Sequence, residues 1–189
     1  MDINVLDAGK LSKIILKKSY VLGVKRLLMK IFKIVKEERL TFLILCFSVI
    51  ADQITKYYAD VYKTFLYPPL EIFSWFNIVY VENKGISFGI LSTLNISFYL
   101  GLVSFVVSFY IIYLLKKSKK RTEKISLSLI LGGALGNGMD RVTREYVIDF
   151  IDISFKNMHW PAFNIADSSI TVGGIMYFWL IIFKKNCKN

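Results

Sequence analysis

The chain has 189 residues, 54% of them hydrophobic and only three of them proline, with a formal net charge of +11. That apolar share and a positive mean hydropathy in one domain's worth of sequence point to a membrane protein and away from a soluble helical one. A single histidine, His159, leaves no multi-histidine zinc site. Cys46 and Cys187, one in an apolar run and one in a basic tail, leave no disulfide framework, so no metal, cofactor or redox chemistry is expected.

Residues 1–39 form a basic leader carrying ten of the 25 Lys and Arg residues. Leu27, Leu28, Ile31, Phe32 and Val35 recur at helical intervals, while Lys25, Arg26, Lys30, Lys33 and Lys36 occupy other faces. This predicts an amphipathic helix on an anionic cytoplasmic leaflet, the alternative being a loosely ordered basic segment. It is too long and too basic for a cleaved signal peptide.

Residues 40–183 are expected to form the membrane domain. Ile90 to Leu115 is uncharged throughout, longer than the roughly 20 residues that cross hydrocarbon as a helix. Three shorter runs each meet a polar group: Leu40–Ala51 runs into Asp52 and Lys56, Ile125–Met139 ends at Asp140 and Arg141, and Ser168–Phe183 follows Asp167. Extended by about a turn, each reaches spanning length, which predicts four transmembrane helices at about 40–60, 91–115, 124–142 and 164–183. The basic leader, the loop "KKSKKRTEK" and the tail 184–189 then share one side, cytoplasmic by the positive-inside rule, and hold most of the positive charge. The charge is therefore a topology signal and no nucleic-acid partner is expected.

The connection at about 60–92, with Pro68, Pro69, Trp75 and several Tyr and Phe residues, is suited to the outer membrane interface, where strands and a membrane-lying flap are expected. A second external connection covers about 142–163. The Gly132, Gly133, Ala134, Gly136 and Gly138 series strips the third helix of bulk, making it a central packing element.

Four carboxylates gather toward the external side: Asp52, Asp140, Asp149 and Asp167. Acids within or at the edge of hydrocarbon are costly, and their default reading is functional. Asp52 and Lys56 are spaced to pair on one helix face, and Asp140 adjoins Arg141. Asp149, in "YVIDFID", and Asp167, after "FN" at a helix start, have no basic residue within two positions. Asp167 also fits the role of a first-turn acid facing the helix dipole. By position alone, Asp140 with Asp167 and Asp149 with Asp167 are equal candidates for an acid pair.

Other chemistries are weaker. "GISFG" around Ser87 matches a nucleophile-elbow pattern, but the pattern needs a strand-to-helix elbow and a histidine base. A Ser–Lys pair would take Lys56 or Lys84 as its base. A proton-coupled carrier relaying charge through Asp52, Asp140 and Asp167 lacks the repeat or broken helices of a transporter.

In order along the chain, "DQITK" (52–56), "NKGISFG" (83–89), "GGALGNGMDR" (132–141), "VIDF" (147–150) and "FNIAD" (163–167) resemble the lipoprotein signal peptidases, or signal peptidase II, over about residues 40–183. The resemblance implies a membrane all-α fold. Four transmembrane helices would form a bundle with a small extracytoplasmic β-sheet between the first two, a short extracytoplasmic helix, and an aspartic dyad near the outer face. It also implies an aspartic endopeptidase of the bacterial inner membrane, acting as a monomer, that cleaves diacylglyceryl-prolipoproteins before the lipidated cysteine and is blocked by globomycin. Membrane lipid would be its other partner.

By motif, the dyad is Asp149 and Asp167. Asn83, Asn137, Arg141 and Asn164 match substrate-site positions, and Asp52, Lys56, Gly133 and Asp140 are supporting residues. The chain departs from the family at Ile86 and Ser87, where two alanines are usual, at Gly138, where leucine is usual, and in its long leader; none of these removes a reactive group. The other class of reading, a peptidase with unlipidated substrates, keeps the same acids.

Two carboxyls brought together cannot both ionise easily, so one keeps a proton. The anionic one then draws a proton from an attacking water while its partner protonates the oxyanion or leaving group.

Overall fold

The computed structural model describes residues 29, 38–85, 96–156 and 158–186. The chain divides into two units, Met1–Leu40 and Thr41–Asn189, and the sheet and nearly all of the helical bundle belong to the second. Most of the predicted amphipathic leader helix, residues 86–95 with Ser87 and the end of the connection expected to hold a flap, and Cys187 in the tail lie outside the described residues.

Among the described residues, four helices carry the fold: α1 (Glu38–Val61), α2 (Ser97–Lys117), α3 (Arg121–Arg144) and α4 (Ile165–Asn186). Three of them, α1, α2 and α4, are long and apolar enough to cross a membrane. At about 1.5 Å per residue each reaches roughly the 30 Å hydrocarbon thickness. Their outward faces carry bulky apolar side chains such as Phe47, Val106, Phe109, Ile175 and Phe178, all largely exposed. Helix α2 begins later than predicted, because Ile96 is not helical.

Helix α3 is built differently. Twelve of its 24 residues are buried, against four of 21 in α2, and its glycines let three neighbours come close. A Cβ on Gly132 would meet Ser48 of α1 at 2.7 Å, one on Gly133 would meet Ile170 of α4 at 2.7 Å, and one on Gly138 would meet Ser104 of α2 at 3.1 Å. The approach is mutual: a Cβ on Gly101 of α2 would meet Val142 at 2.8 Å, and one on Gly173 of α4 would meet the Ser126 carbonyl at 2.6 Å. The glycine series thus places α3 at the centre, packed closely enough that a single methyl would force a shift.

The sheet is antiparallel in the order β1-β2-β3-β4, with β1 (Leu70–Phe73) and β2 (Phe76–Asn83) from the first connection and β3 (Val147–Phe155) and β4 (Met158–His159) from the second. The resemblance placed the sheet between the first two helices; in fact both connections build it. Buried Ile148 explains this, because it packs with Ala59 and Leu66 while Ile78, Tyr80, Tyr146 and Phe150 close over them. That cluster gives β3 a reason to lie on β2. Between α1 and α2, the helical structure among the described residues is one 3-10 turn, Lys63–Leu66.

Two local features steer the chain. Glu145, at φ 64°, ends α3 in the left-handed region and turns it into β3. In the β2–β3 ladder, Ile78 pairs with Ile151 and Val81 with Asp149, so β2 spends three residues where β3 spends two. Further along, Phe163 bridges to Ile151, accepting from Phe150 and Ile151 N–H at 3.1 and 2.9 Å, which ties the entry of α4 to β3.

Candidate active site

The first turn of α4 leaves backbone N–H groups without helical partners, and two are answered from outside the helix. Asn164 caps it through Oδ1, which accepts the Asp167 N–H at 2.9 Å. Asp52 of α1 reaches across, its Oδ1 accepting the Ala166 N–H at 2.8 Å. Gly133 allows this approach, since a side chain there would run into the Ala166 carbonyl oxygen.

The same cap carries β3's acid. Asn164 Nδ2 donates to Asp149 Oδ1 at 2.6 Å, and Asn83 Nδ2, from the end of β2, donates to Asp149 Oδ2 at 2.9 Å. Both amides are oriented by obligate backbone donors: Asp167 N–H holds the oxygen of Asn164, and Gly85 N–H holds that of Asn83 at 3.0 Å. Asp149 is only 2% exposed. Burial, then the charge of Asp167, pushes its carboxyl up to about 6, against the pull of Asn83, Asn164 and Lys56 toward the anion.

Asp167 has its own donor. Asn137 Nδ2 lies 2.7 Å from Asp167 Oδ1, and the oxygen of that amide accepts from Lys56 Nζ at 2.8 Å. Lys56 is also paired with Asp52 Oδ2 at 2.8 Å and Asp140 Oδ2 at 2.7 Å, with all three side chains at 1% exposure or less. Arg141 donates from Nη2 to the Gly85 carbonyl at 3.1 Å, which brings a guanidinium to the loop that follows Asn83.

The four acids therefore sort into two pairs. Asp52 and Asp140 share the ammonium of Lys56; Asp149 and Asp167 are bridged by Asn164 and act on each other through their charges. An ammonium held between two carboxylates is a poor general base, which disfavours a Ser–Lys pair using Lys56, and Lys84 is exposed.

Some contributors went unread in the sequence. Gln53 Nε2 lies 3.2 Å from Asp140 Oδ1 and 3.3 Å from Asp52 Oδ2, joining the two acids around Lys56; its place in "DQITK" beside Asp52 was the available signal. On the far part of the sheet, Asp152 accepts from Asn77 Nδ2 at 2.8 Å and lies 2.9 Å from His159 Nδ1, so the single histidine ties β4 to β3.

Comparison with known proteins identifies the family. The family described as Signal peptidase (SPase) II matches residues 44–183. A lipoprotein signal peptidase from Thermodesulfovibrio yellowstonii is 41% identical over 133 residues, covering 69% of this chain and 86% of that protein. One from Francisella tularensis subsp. mediasiatica is 42% identical over 154 residues, covering 78% and 94%. A solved structure described as a bacterial membrane enzyme superposes with a TM-score of 0.70 at 31% identity, covering 79% of this chain and 91% of its own. With its family match reaching into all four helices and covering the whole sheet, the chain belongs to the signal peptidase II family.

Proposed function

We propose that this protein is an aspartic endopeptidase that removes signal peptides from diacylglyceryl-modified prolipoproteins, cutting before the lipidated cysteine. Family membership supports peptidase activity on prolipoproteins. The observation that carries the catalytic assignment is Asn164, which donates to Asp149 and accepts the Asp167 N–H and so holds the two acids as one unit.

In this reading, Asp149 and Asp167 share one proton. The anionic member draws a proton from water as it attacks the scissile carbonyl, and the protonated member donates to the oxyanion or leaving nitrogen. The pair titrates as a unit. Asn83, Asn164 and Asn137 hold the carboxyls in place, and Arg141 supplies positive charge beside the reacting peptide. Lys56, Asp52 and Asp140 brace α1 and α3 behind them, and Gly133 admits α4.

All four helices span the inner membrane, with both termini cytoplasmic and the sheet external. Helix α3 tolerates its polar residues because its neighbours cover them. The acids then lie near the outer headgroup boundary, where a diacylglyceryl cysteine resides. The lipid supplies binding energy, and one chain suffices as a monomer. In domain terms, 1–39 is the cytoplasmic leader, 40–183 the peptidase and 184–189 the tail.

The test is cleavage of matched lipidated and unlipidated precursors by purified protein, with and without globomycin. Cleavage of the lipidated precursor alone, blocked by globomycin and abolished in Asp149→Asn and Asp167→Asn proteins that remain folded, is expected. Equal cleavage of both precursors would make it a broader peptidase; cleavage of neither would favour a carrier. Loss of activity in Asp140→Asn with Asp149→Asn active would move the pair to Asp140 and Asp167.

A further inference from the structure

We propose that Lys56 is a positioning residue that acts on the acid pair through Asn137. The proposal rests on reading Asp149 and Asp167 as the reacting acids. A carboxamide's two ends are nearly equal in size, so only the chemistry of its partners decides which end faces Asp167. Lys56 Nζ is a pure donor, and at 2.8 Å it selects the oxygen of Asn137. The NH2 end is thereby turned to Asp167 Oδ1, 2.7 Å away. Turned over, the amide would set its oxygen against the carboxylate and its N–H groups against the ammonium, two repulsions in place of two hydrogen bonds. Asn137 is 5% exposed, which raises the cost of such an unpaired arrangement.

The ammonium has three oxygens within 2.8 Å: Asp52 Oδ2 and Asp140 Oδ2 as ion pairs, and Asn137 Oδ1 as a hydrogen-bond acceptor. A clamp between α1 and α3 needs only the two carboxylates. The third bond places Lys56 in a relay toward the reacting acid. Asn137 and Asp140 stand one turn apart on α3, so a single Nζ reaches both.

The experiment is a double-mutant cycle on the full chain in lipid nanodiscs, using a diacylglyceryl-modified precursor peptide as substrate. Lys56→Met combined with Asp140→Asn removes the ammonium and keeps the cluster's net charge at −1. Asn137→Ala, which leaves both ion pairs intact, is the second arm, and the combined variant closes the cycle. Each arm is expected to lower kcat on the order of 10²-fold, as misplacing a reacting group does, with KM changed less than about twofold. The combined variant is expected to be no slower than either arm.

Multiplicative losses, or a loss confined to KM, would overturn the proposal by making Lys56 a brace alone. Should the Lys56 variant not fold, unchanged kcat in Asn137→Ala still overturns it, because the relay would then end on nothing. Asp149→Asn serves as the control. Turnover by that variant would sink the catalytic reading itself, whereas an inactive Asp149→Asn with multiplicative arms would sink only the relay.

Discussion

Asn164 Nδ2 sits 2.6 Å from Asp149 Oδ1, and the other end of the same amide caps the helix that carries Asp167. One side chain thus does two separable jobs. Asn164→Ser keeps a capping oxygen and removes the donor to Asp149, whereas Asn164→Ala removes both. Thermal unfolding should show Asn164→Ala destabilised by about 1 kcal/mol relative to Asn164→Ser. Precursor cleavage should fall by at least about tenfold in both, in the range expected for loss of a charge-assisted hydrogen bond. A Ser variant with full turnover would confine Asn164 to helix capping.

Asp149's carboxyl, raised to about 6 by burial and by Asp167, makes a directional claim about pH. A raised acid keeps its proton up to the shifted value, so the singly protonated pair persists below about 6 and is lost above it. Because the proposed reaction needs one shared proton, kcat/KM should fall as pH rises through about 6. Initial rates from pH 4 to 9 at low substrate check this; a profile that rises through that window would assign the titrating carboxyl to the base role alone.

Gly133→Ala places a methyl against the Ala166 carbonyl, which belongs to the turn carrying Asp167, and 2.7 Å from Ile170 Cγ1. Helix α4 must back away. A cost of about 1–3 kcal/mol is expected from overpacking, with turnover falling further than the loss of folded protein explains. Gly174→Ala is the internal control, since a Cβ there meets nothing within 4 Å.

Removing Asp52 leaves two groups unanswered: the Lys56 ammonium loses one of its carboxylates, and the Ala166 N–H loses its acceptor. Because Lys56 keeps Asp140, Asp52→Ala should destabilise by about 1–3 kcal/mol, the range for leaving a buried donor unsatisfied. Asp52→Asn, which keeps an oxygen for Ala166, should lose less. Chemical denaturation in detergent distinguishes them, and equal losses would show that the α4 cap contributes nothing.

What could be read from the chain depends on how local each signal is. Helices α1, α2 and α4 announce themselves as apolar runs, and α4's start is marked by Asn164 three residues before Asp167, a capping relationship within one turn. Helix α3 was legible as the uncharged run Ile125–Met139, and its central packing through its glycines, although the charged residues at both ends leave it less apolar than the other three. The joining of the two connections into one sheet was not legible. Asn83 and Asp149 are 66 residues apart, and "FNIVYVEN" carries no mark of which strand it will pair with. The use of Ala166 N–H by Asp52, 114 residues earlier, was hidden for the same reason: a backbone donor has no signature in sequence.

The extra residue in β2 has a consequence for side-chain parity. Val81 lies opposite Asp149, and Asn83, two residues on, shares its face of the sheet and reaches its carboxylate. Continued from Ile78 opposite Ile151 without the irregularity, the ladder would set Tyr80 opposite Asp149, and the Asn83 amide would emerge on the reverse side. The irregularity works as a one-residue phase shift, selecting which surface of the sheet receives the polar partner of an acid contributed by a different connection.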